Sequence, residues 1–210
     1  MFNKLRGIFS DADFSELIKG GGISFVLRFG GLFVGYLLTL LIANLFGAKG
    51  LGEYILAITV LELFTLVAKL GFDTTSIRFI AAHAIKNKWN SIIHLRRKIL
   101  AILSITSVLA SVLMYYFSEA LSLLINTNSS YIQLSSFFVL PLSLFVLHYQ
   151  SLRGLKKIAE FSFFYRMSRG LFTIISIAIL YQFYQSEEIA LYSYLISIVI
   201  VSALSFFSFT

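Results

Sequence analysis

The sequence predicts an all-α membrane protein whose helices cross the bilayer about six times. The composition is the first reason, because 58% of the 210 residues are hydrophobic and 13% are charged, too few charges to cover a soluble globule. The second reason is the recurrence of apolar stretches of about 20 residues, the length that spans a hydrocarbon core as a helix. The third is the clustering of Lys and Arg in alternate connections between these stretches.

Six stretches have the length and apolarity of transmembrane helices. They are residues 23–46, 51–71, 99–118, 131–152, 166–184 and 189–209. The fifth is short, because its apolar core follows Arg169, and we expect it to extend back toward Phe161. Pro141 lies inside the fourth stretch and should kink it, since proline lacks the N–H that a helix interior requires.

Residues 1–22 are predicted to form a cytoplasmic tail that precedes the six-helix transmembrane lobe of residues 23–210. The tail has no apolar core of the kind found in a signal peptide. Ser10 and Asp13 resemble a capping box, which predicts a short interfacial helix. The three glycines at positions 20–22 predict the end of that helix.

The basic residues set the predicted orientation. Fourteen of the 17 Lys and Arg residues fall in the tail, in residues 72–98 and in residues 153–169. The opposite connections contain Lys49 and otherwise carry carboxylates, namely Glu53, Glu119, Glu187 and Glu188. Because basic connections stay in the cytoplasm, we expect a cytoplasmic N-terminus. The last stretch reaches Thr210 without a basic anchor, so we expect further spans to follow in the intact protein.

Small and polar residues line one face of each span. In the first span the row is Ser24, Arg28, Gly31, Gly35 and Thr39. Helix packing explains most such residues. It explains Glu62 less well, because a carboxylate at mid-span costs at least about 2.5 to 3.5 kcal/mol unless it meets water or a partner. Two interpretations of Glu62 stay open, a carboxylate in a functional cavity and one half of a structural ion pair.

Four cations near the predicted cytoplasmic ends form a second candidate group. Arg28 and Lys69 lie within a turn or two of that end, and Arg166 and Arg169 share one helix face. Snorkelling or topology signalling accounts for each residue singly. Together they would form a cationic entrance suited to a phosphate or pyrophosphate.

The sequence offers no metal site. It contains no Cys, and its three His have no metal-ligand spacing. His148 is off the polar face of the fourth span and is predicted to pack. The basic residues 80–98 and 153–164 are expected to contact anionic phospholipid rather than nucleic acid.

The chain resembles a known family in two regions. One runs from Arg28 to Tyr54 and contains Phe46-Gly47-Ala48 and Gly50-Leu51-Gly52-Glu53-Tyr54. The other is Leu70-Gly71-Phe72-Asp73-Thr74 with Arg78-Phe79-Ile80-Ala81. With the basic Arg153-Gly154 connection, these motifs resemble polysaccharide and O-antigen flippases of the multidrug/oligosaccharidyl-lipid/polysaccharide (MOP) superfamily.

The resemblance implies one six-helix lobe of a two-lobe transporter like the multidrug exporters of that superfamily, in a bacterial cytoplasmic membrane. The implied cargo is an undecaprenyl-pyrophosphate-linked oligosaccharide. Arg28, Lys69, Arg166 and Arg169 would attract the pyrophosphate. Glu62, or else Asp73, would bind a coupling H⁺ or Na⁺. The missing lobe would be a C-terminal continuation or a second copy, and no enzymatic activity or other cofactor is implied.

Three other functions stay open. A drug or metabolite cation antiporter of the same superfamily shares the fold, and fold alone does not decide between substrates. A membrane enzyme of glycan assembly would need acid–base residues in sizeable external loops, whereas the external connections here are short. A membrane scaffold would leave Glu62 without a cavity.

Overall fold

The computed structural model describes residues 12–183 and 186–209, with side chains for 20–183 and 186–208. Within these residues the chain is helical and contains no strand. The helices are α1 Ala12–Lys69, α2 Phe72–Ala84, α3 Trp89–Tyr116, α4 Ser118–Ile125, α5 Ser129–Ser136, α6 Val139–Gly154, α7 Ile158–Phe163, α8 Arg169–Leu180 and α9 Ile189–Phe209. A π-helical turn, Phe164–Ser168, joins α7 to α8 without a break.

Helix α1 is divided at Gly47. This glycine has φ 71° and ψ −175°, a backbone conformation that is essentially restricted to glycine. It separates a first arm, residues 12–46, from a second arm, residues 48–69.

The two arms of α1 run alongside the same segment in opposite directions. Gly31 in the first arm packs against the backbone of Arg166, and Glu62 in the second arm contacts Arg169. At 1.5 Å per residue, Gly31 and Glu62 each lie about 23 Å along the helix from Gly47. The chain therefore reverses its direction at Gly47, so that both arms contact the junction of α7 and α8.

Four helical segments of the described chain are long and apolar enough to cross a membrane, namely Gly20–Lys69, Trp89–Tyr116, Ile158–Leu180 and Ile189–Ser208. Helices α5 and α6 qualify together as a fifth, broken span. Many large apolar side chains point outward from these helices, which is typical of a lipid-facing surface. The predicted all-α class is confirmed for the described residues, and the helices have the length and apolarity that the predicted membrane location requires. With α1 taken as a single span the count is four or five, against about six predicted from the sequence.

The predicted extension of the fifth span and the predicted kink of the fourth are both found. The fifth span is continuous from Ile158 to Leu180. In the fourth, α5 and α6 meet at 52°. The break lies at Phe137 and Phe138, just before Pro141, because a proline ring clashes with the carbonyl four residues earlier and offers it no N–H.

One boundary prediction is wrong. The helix end predicted at glycines 20–22 is absent, since α1 continues through them, and glycine is tolerated within membrane helices. Residues 72–98, predicted as a basic connection, are helical as α2 and the first part of α3, and the helix of the third span begins at Trp89 rather than at residue 99. The capping position Ser10 lies outside the described residues.

One end of the bundle, which we call the basic end, collects α2, the start of α3, and residues 153–158. Gly154 packs against the side chain of Ile80, which joins α6 to α2. Lys157 Nζ donates to the carbonyl oxygen of Ser208 at 3.0 Å, which joins the start of α7 to the end of α9. Residues 72–98 and 153–158, both predicted to be cytoplasmic, therefore lie at the same end, whereas Arg166 and Arg169 lie beside Glu62.

The opposite end, which we call the acidic end, contains the reversal of α1, the short helix α4 and the start of α9. Lys49 Nζ lies 3.8 Å from Glu187 Oε2. The rings of Phe46 and Tyr181 meet with centroids 6.1 Å apart. The predicted separation of charge along the sequence is thus a separation between the two ends of the folded bundle.

Candidate functional site

An ion pair joins two helices of the bundle. Arg169 is the first residue of α8, and its Nη1 donates to Oε1 of Glu62, in the second arm of α1, at 2.7 Å. The same nitrogen donates to the hydroxyl oxygen of Tyr194 in α9 at 3.1 Å. Tyr194 is 5% exposed, whereas the side chains of Arg169 and Glu62 are 29% and 51% exposed. The pair is therefore anchored on its buried side and open on the other.

Two adjoining cavities share this ion pair as a common wall. The first, which we call the glycine cavity, has a volume of about 290 Å³ and lies between the two arms of α1 and the start of α8. The second, which we call the lysine cavity, has a volume of about 430 Å³ and extends to Lys69 at the end of the second arm. Glu62 and Arg169 line both, so a ligand in either cavity would meet the ion pair.

The first arm approaches α8 closely because the contact residues are glycines. A Cβ at Gly31 would lie 2.7 Å from the carbonyl oxygen of Arg166, and one at Gly170 would lie 2.9 Å from Val34 Cγ1. A Cβ at Gly35 would meet nothing within 4 Å, and Gly35 lines the glycine cavity. Of the two glycines predicted to pack, Gly31 does so and Gly35 leaves open space.

Four tyrosines surround the ion pair, and the polar rows of the sequence predicted none of them. Tyr54 and Tyr194 meet edge to face in the glycine cavity, with ring centroids 5.9 Å apart. The ring centroids of Tyr149 and Tyr165 lie 5.6 Å apart in the lysine cavity. Each offers an apolar ring with a hydroxyl group, which suits a ligand that is partly apolar and partly hydrogen-bonding. Their number, 11 in the chain, was the one available signal.

The structure brings four of the six predicted site residues together. Glu62 and Arg169 line both cavities, Lys69 lines the lysine cavity, and Arg166 lines the glycine cavity with its guanidinium 5.0 Å from the centroid of the Tyr165 ring. Glu62 both faces a cavity and is half of an ion pair, so the geometry contains both arrangements, and a functional role for the carboxylate stays a prediction.

Arg28 and Asp73 lie outside the cavities. Arg28 is exposed on the first arm and makes no hydrogen bond or ion pair within the described part of the chain. Asp73 Oδ2 lies 3.2 Å from Lys69 Nζ, and its Oδ1 accepts a hydrogen bond from the backbone N–H of Thr74. The carboxylate of Asp73 therefore neutralises Lys69 locally at the start of α2.

Several serines of the helices contribute to helix packing. The hydroxyl groups of Ser24 and Ser162 lie 2.8 Å apart, and Ser111 donates to the carbonyl oxygen of Ser136 at 2.7 Å. His148 is 4% exposed, with its ring against Phe206. The described residues include no cluster of three or more His, Asp and Glu that could hold a metal ion.

No protein-family model matches the chain, and no curated protein and no solved structure is found to be similar to it. The resemblance to the flippases therefore stays a prediction that rests on short sequence motifs.

Proposed function

We propose that this chain is one lobe of a membrane transporter that flips a pyrophosphate-linked, polyprenyl-anchored oligosaccharide across a bacterial cytoplasmic membrane. The observation that carries the proposal is the Glu62–Arg169 ion pair, which lies between two tyrosine-lined cavities in an apolar helical bundle. Ionisable groups at such a depth are expensive and tend to mark a transport path.

Six crossings fit the bundle when the arms of α1 are counted separately. The part of the first arm with described side chains, residues 20–46, would be about 40 Å long and the second arm about 33 Å, each enough for a hydrocarbon core of about 30 Å. With α3, the α5–α6 pair, the α7–α8 helix and α9, the chain would cross six times. The basic end would then be cytoplasmic, with the N-terminus on that side.

The cations of the site suit a pyrophosphate. Arg166, Arg169 and Lys69 all face the cavities, and Arg28 lies about one turn from Gly31 toward the basic end. Arginine binds phosphate oxygens through paired N–H donors. The four tyrosine rings would contact the sugars, while the polyprenyl chain would stay in lipid.

The ion pair suggests how cargo and a coupling ion would be linked. Arg169 donates to Glu62 through Nη1, and a phosphate that bound the same nitrogen would compete with the carboxylate for it. Binding of the pyrophosphate at Nη1 would release the Glu62 carboxylate, which would become available to H⁺ or Na⁺. Return of the ion pair would expel both ligands from the site.

Ligand binding by the purified protein in nanodiscs tests this function. Arg169→Gln should weaken binding of an undecaprenyl-pyrophosphate oligosaccharide by about ten- to a hundredfold, the value of one charge-assisted hydrogen bond. Glu62→Gln should strengthen it and remove its dependence on H⁺ or Na⁺. Arg97→Gln, an exposed cation at the basic end, serves as the control. Equal binding by the Arg169 and Arg97 variants would exclude the proposal.

A cation antiporter is the second candidate. It is favoured by the half-exposed carboxylate of Glu62 among tyrosine rings, which could hold an organic cation. In the same assay an organic cation would then bind, and Glu62→Gln would abolish that binding. The pyrophosphate ligand would not bind to either protein.

A further inference from the structure

A third cavity lies at the acidic end, away from the ion pair. It has a volume of about 350 Å³ and lies between the end of α3, helix α5 and the start of α9. Its walls include the aromatic side chains Tyr115, Tyr131, Phe137 and Tyr192 and the carboxylate of Glu188. None of its lining residues belongs to either cavity of the candidate site, so it is a separate pocket.

The break in the fourth span helps to form this pocket. Phe137 lies at the junction of α5 and α6, where Pro141 prevents a continuous helix. Its ring meets Tyr115 of α3 with centroids 5.9 Å apart at an interplanar angle of 64°. The kink thus directs an aromatic ring into the gap between α3 and α5.

The pocket is negatively charged. Among the described residues no Lys, Arg or His lines it, while Glu188 does. Glu53 and Glu187 are also electrostatic neighbours of Tyr131. The nearby cation Lys49 lies 3.8 Å from Glu187 and is largely exposed. Aromatic faces and a carboxylate around one space attract an organic cation rather than an anion.

The residues around the pocket are of the kind expected at the level of lipid headgroups. Tyr116, Leu123 and Leu124 nearby on α3 and α4 are 80%, 81% and 81% exposed. Exposed tyrosines of this kind are enriched where a membrane helix leaves the hydrocarbon core. Tyr115, Phe137 and Tyr192 are themselves about half exposed, so the pocket is open to that level.

We infer that this pocket binds an organic ammonium group, supplied by the headgroup of an amine-bearing phospholipid or by a free amine. The tyrosine rings contact the cation through their faces, and Glu188 neutralises it. The hydroxyl of Ser130 and the amide of Gln133 provide donors for a neighbouring phosphate. The inference does not depend on what the transport cavities carry.

Native mass spectrometry of the protein in detergent tests the inference. Phosphatidylethanolamine and phosphatidylglycerol with the same acyl chains are offered in equal amounts, and phosphatidylethanolamine should be retained about five- to tenfold more. Glu188→Gln and Tyr192→Leu should each remove most of this preference. Glu119→Gln and Tyr116→Leu, which change exposed residues at the same end outside the pocket, should leave it unchanged.

Soluble competitors identify the source of the ammonium group. Displacement of the lipid by ethanolamine would assign the site to any small ammonium, and retention in its presence would assign it to the lipid headgroup. Equal retention of the two phospholipids would overturn the inference. An equal lipid preference in Glu188→Gln and Glu119→Gln would also overturn it. Displacement of the lipid by a neutral disaccharide but not by ethanolamine would do the same.

Discussion

Arg169 Nη1 and Glu62 Oε1 lie 2.7 Å apart although the two residues are separated by 107 positions in the sequence. The contact joins α8 to the second arm of α1, and Tyr194 of α9 completes it. Three helices therefore meet at one guanidinium, which also borders two cavities.

Removing either member of the pair should destabilise the protein. Glu62→Gln and Arg169→Gln should each lower the free energy of unfolding by about 1–3 kcal/mol, nearer the lower value because Glu62 is half exposed. The double variant should lose about 1 kcal/mol less than the sum of the two, since the residues interact directly. Denaturant unfolding in detergent measures all three values.

The matched control for these variants is the ion pair of Lys49 and Glu187. Its side chains are 76% and 47% exposed, and Lys49 Nζ lies 3.8 Å from Glu187 Oε2. Glu187→Gln should change stability by no more than about 0.5 kcal/mol. If it costs as much as Glu62→Gln, then the inner pair has no special structural role.

The two glycines of the first arm should respond differently to the same substitution. Gly31→Ala places a methyl group 2.7 Å from a carbonyl oxygen and should cost about 1–3 kcal/mol. Gly35→Ala meets nothing within 4 Å and should be neutral or stabilising by up to about 1 kcal/mol, because alanine favours a helix. Thermal unfolding of the two variants side by side checks this, and equal stabilities would contradict the close approach of the first arm to Arg166.

The reversal of α1 should depend on Gly47. Gly47→Ala forces a side chain into a backbone conformation with φ 71° and should cost about 1–3 kcal/mol. Gly52→Ala lies five residues later with no atom within 4 Å of the added methyl group and should be tolerated. The free energies of unfolding of the two variants provide the comparison. A tolerated Gly47→Ala would argue for a straight α1.

The sequence is sufficient to predict the helical class, the separation of charge and the presence of a partner or a cavity at Glu62. Each follows from a free-energy cost that composition or position reveals, such as the cost of placing a carboxylate in the middle of a membrane span. The sequence does not identify the partner of Glu62, because its pattern groups Arg169 with the cationic entrance and nothing local links Arg169 to position 62. Long-range pairing depends on how α8 packs against α1.

The missed features have physical reasons as well. Tyr54 and Tyr149 were not separated from the other aromatic residues because tyrosine is also common in packed cores and at membrane interfaces. Glycines such as those at 20–22 often end helices in water. That rule does not hold where neighbouring helices or lipid enforce helical hydrogen bonding. Pro141, by contrast, acts through its own ring, and its kink was predictable.

Solvent access to the shared wall of the two cavities is the most direct measurement. The chain contains no Cys, so a cysteine in place of Thr59, which lines both cavities, provides a unique thiol. The control is Ile105→Cys, at an exposed apolar position on α3 that we expect to face lipid. We expect a membrane-impermeant maleimide to label position 59 but not position 105, and a pyrophosphate-linked polyprenyl saccharide to slow labelling at 59. Absence of labelling at position 59, or labelling unaffected by that ligand, would contradict a hydrated cavity that binds the cargo.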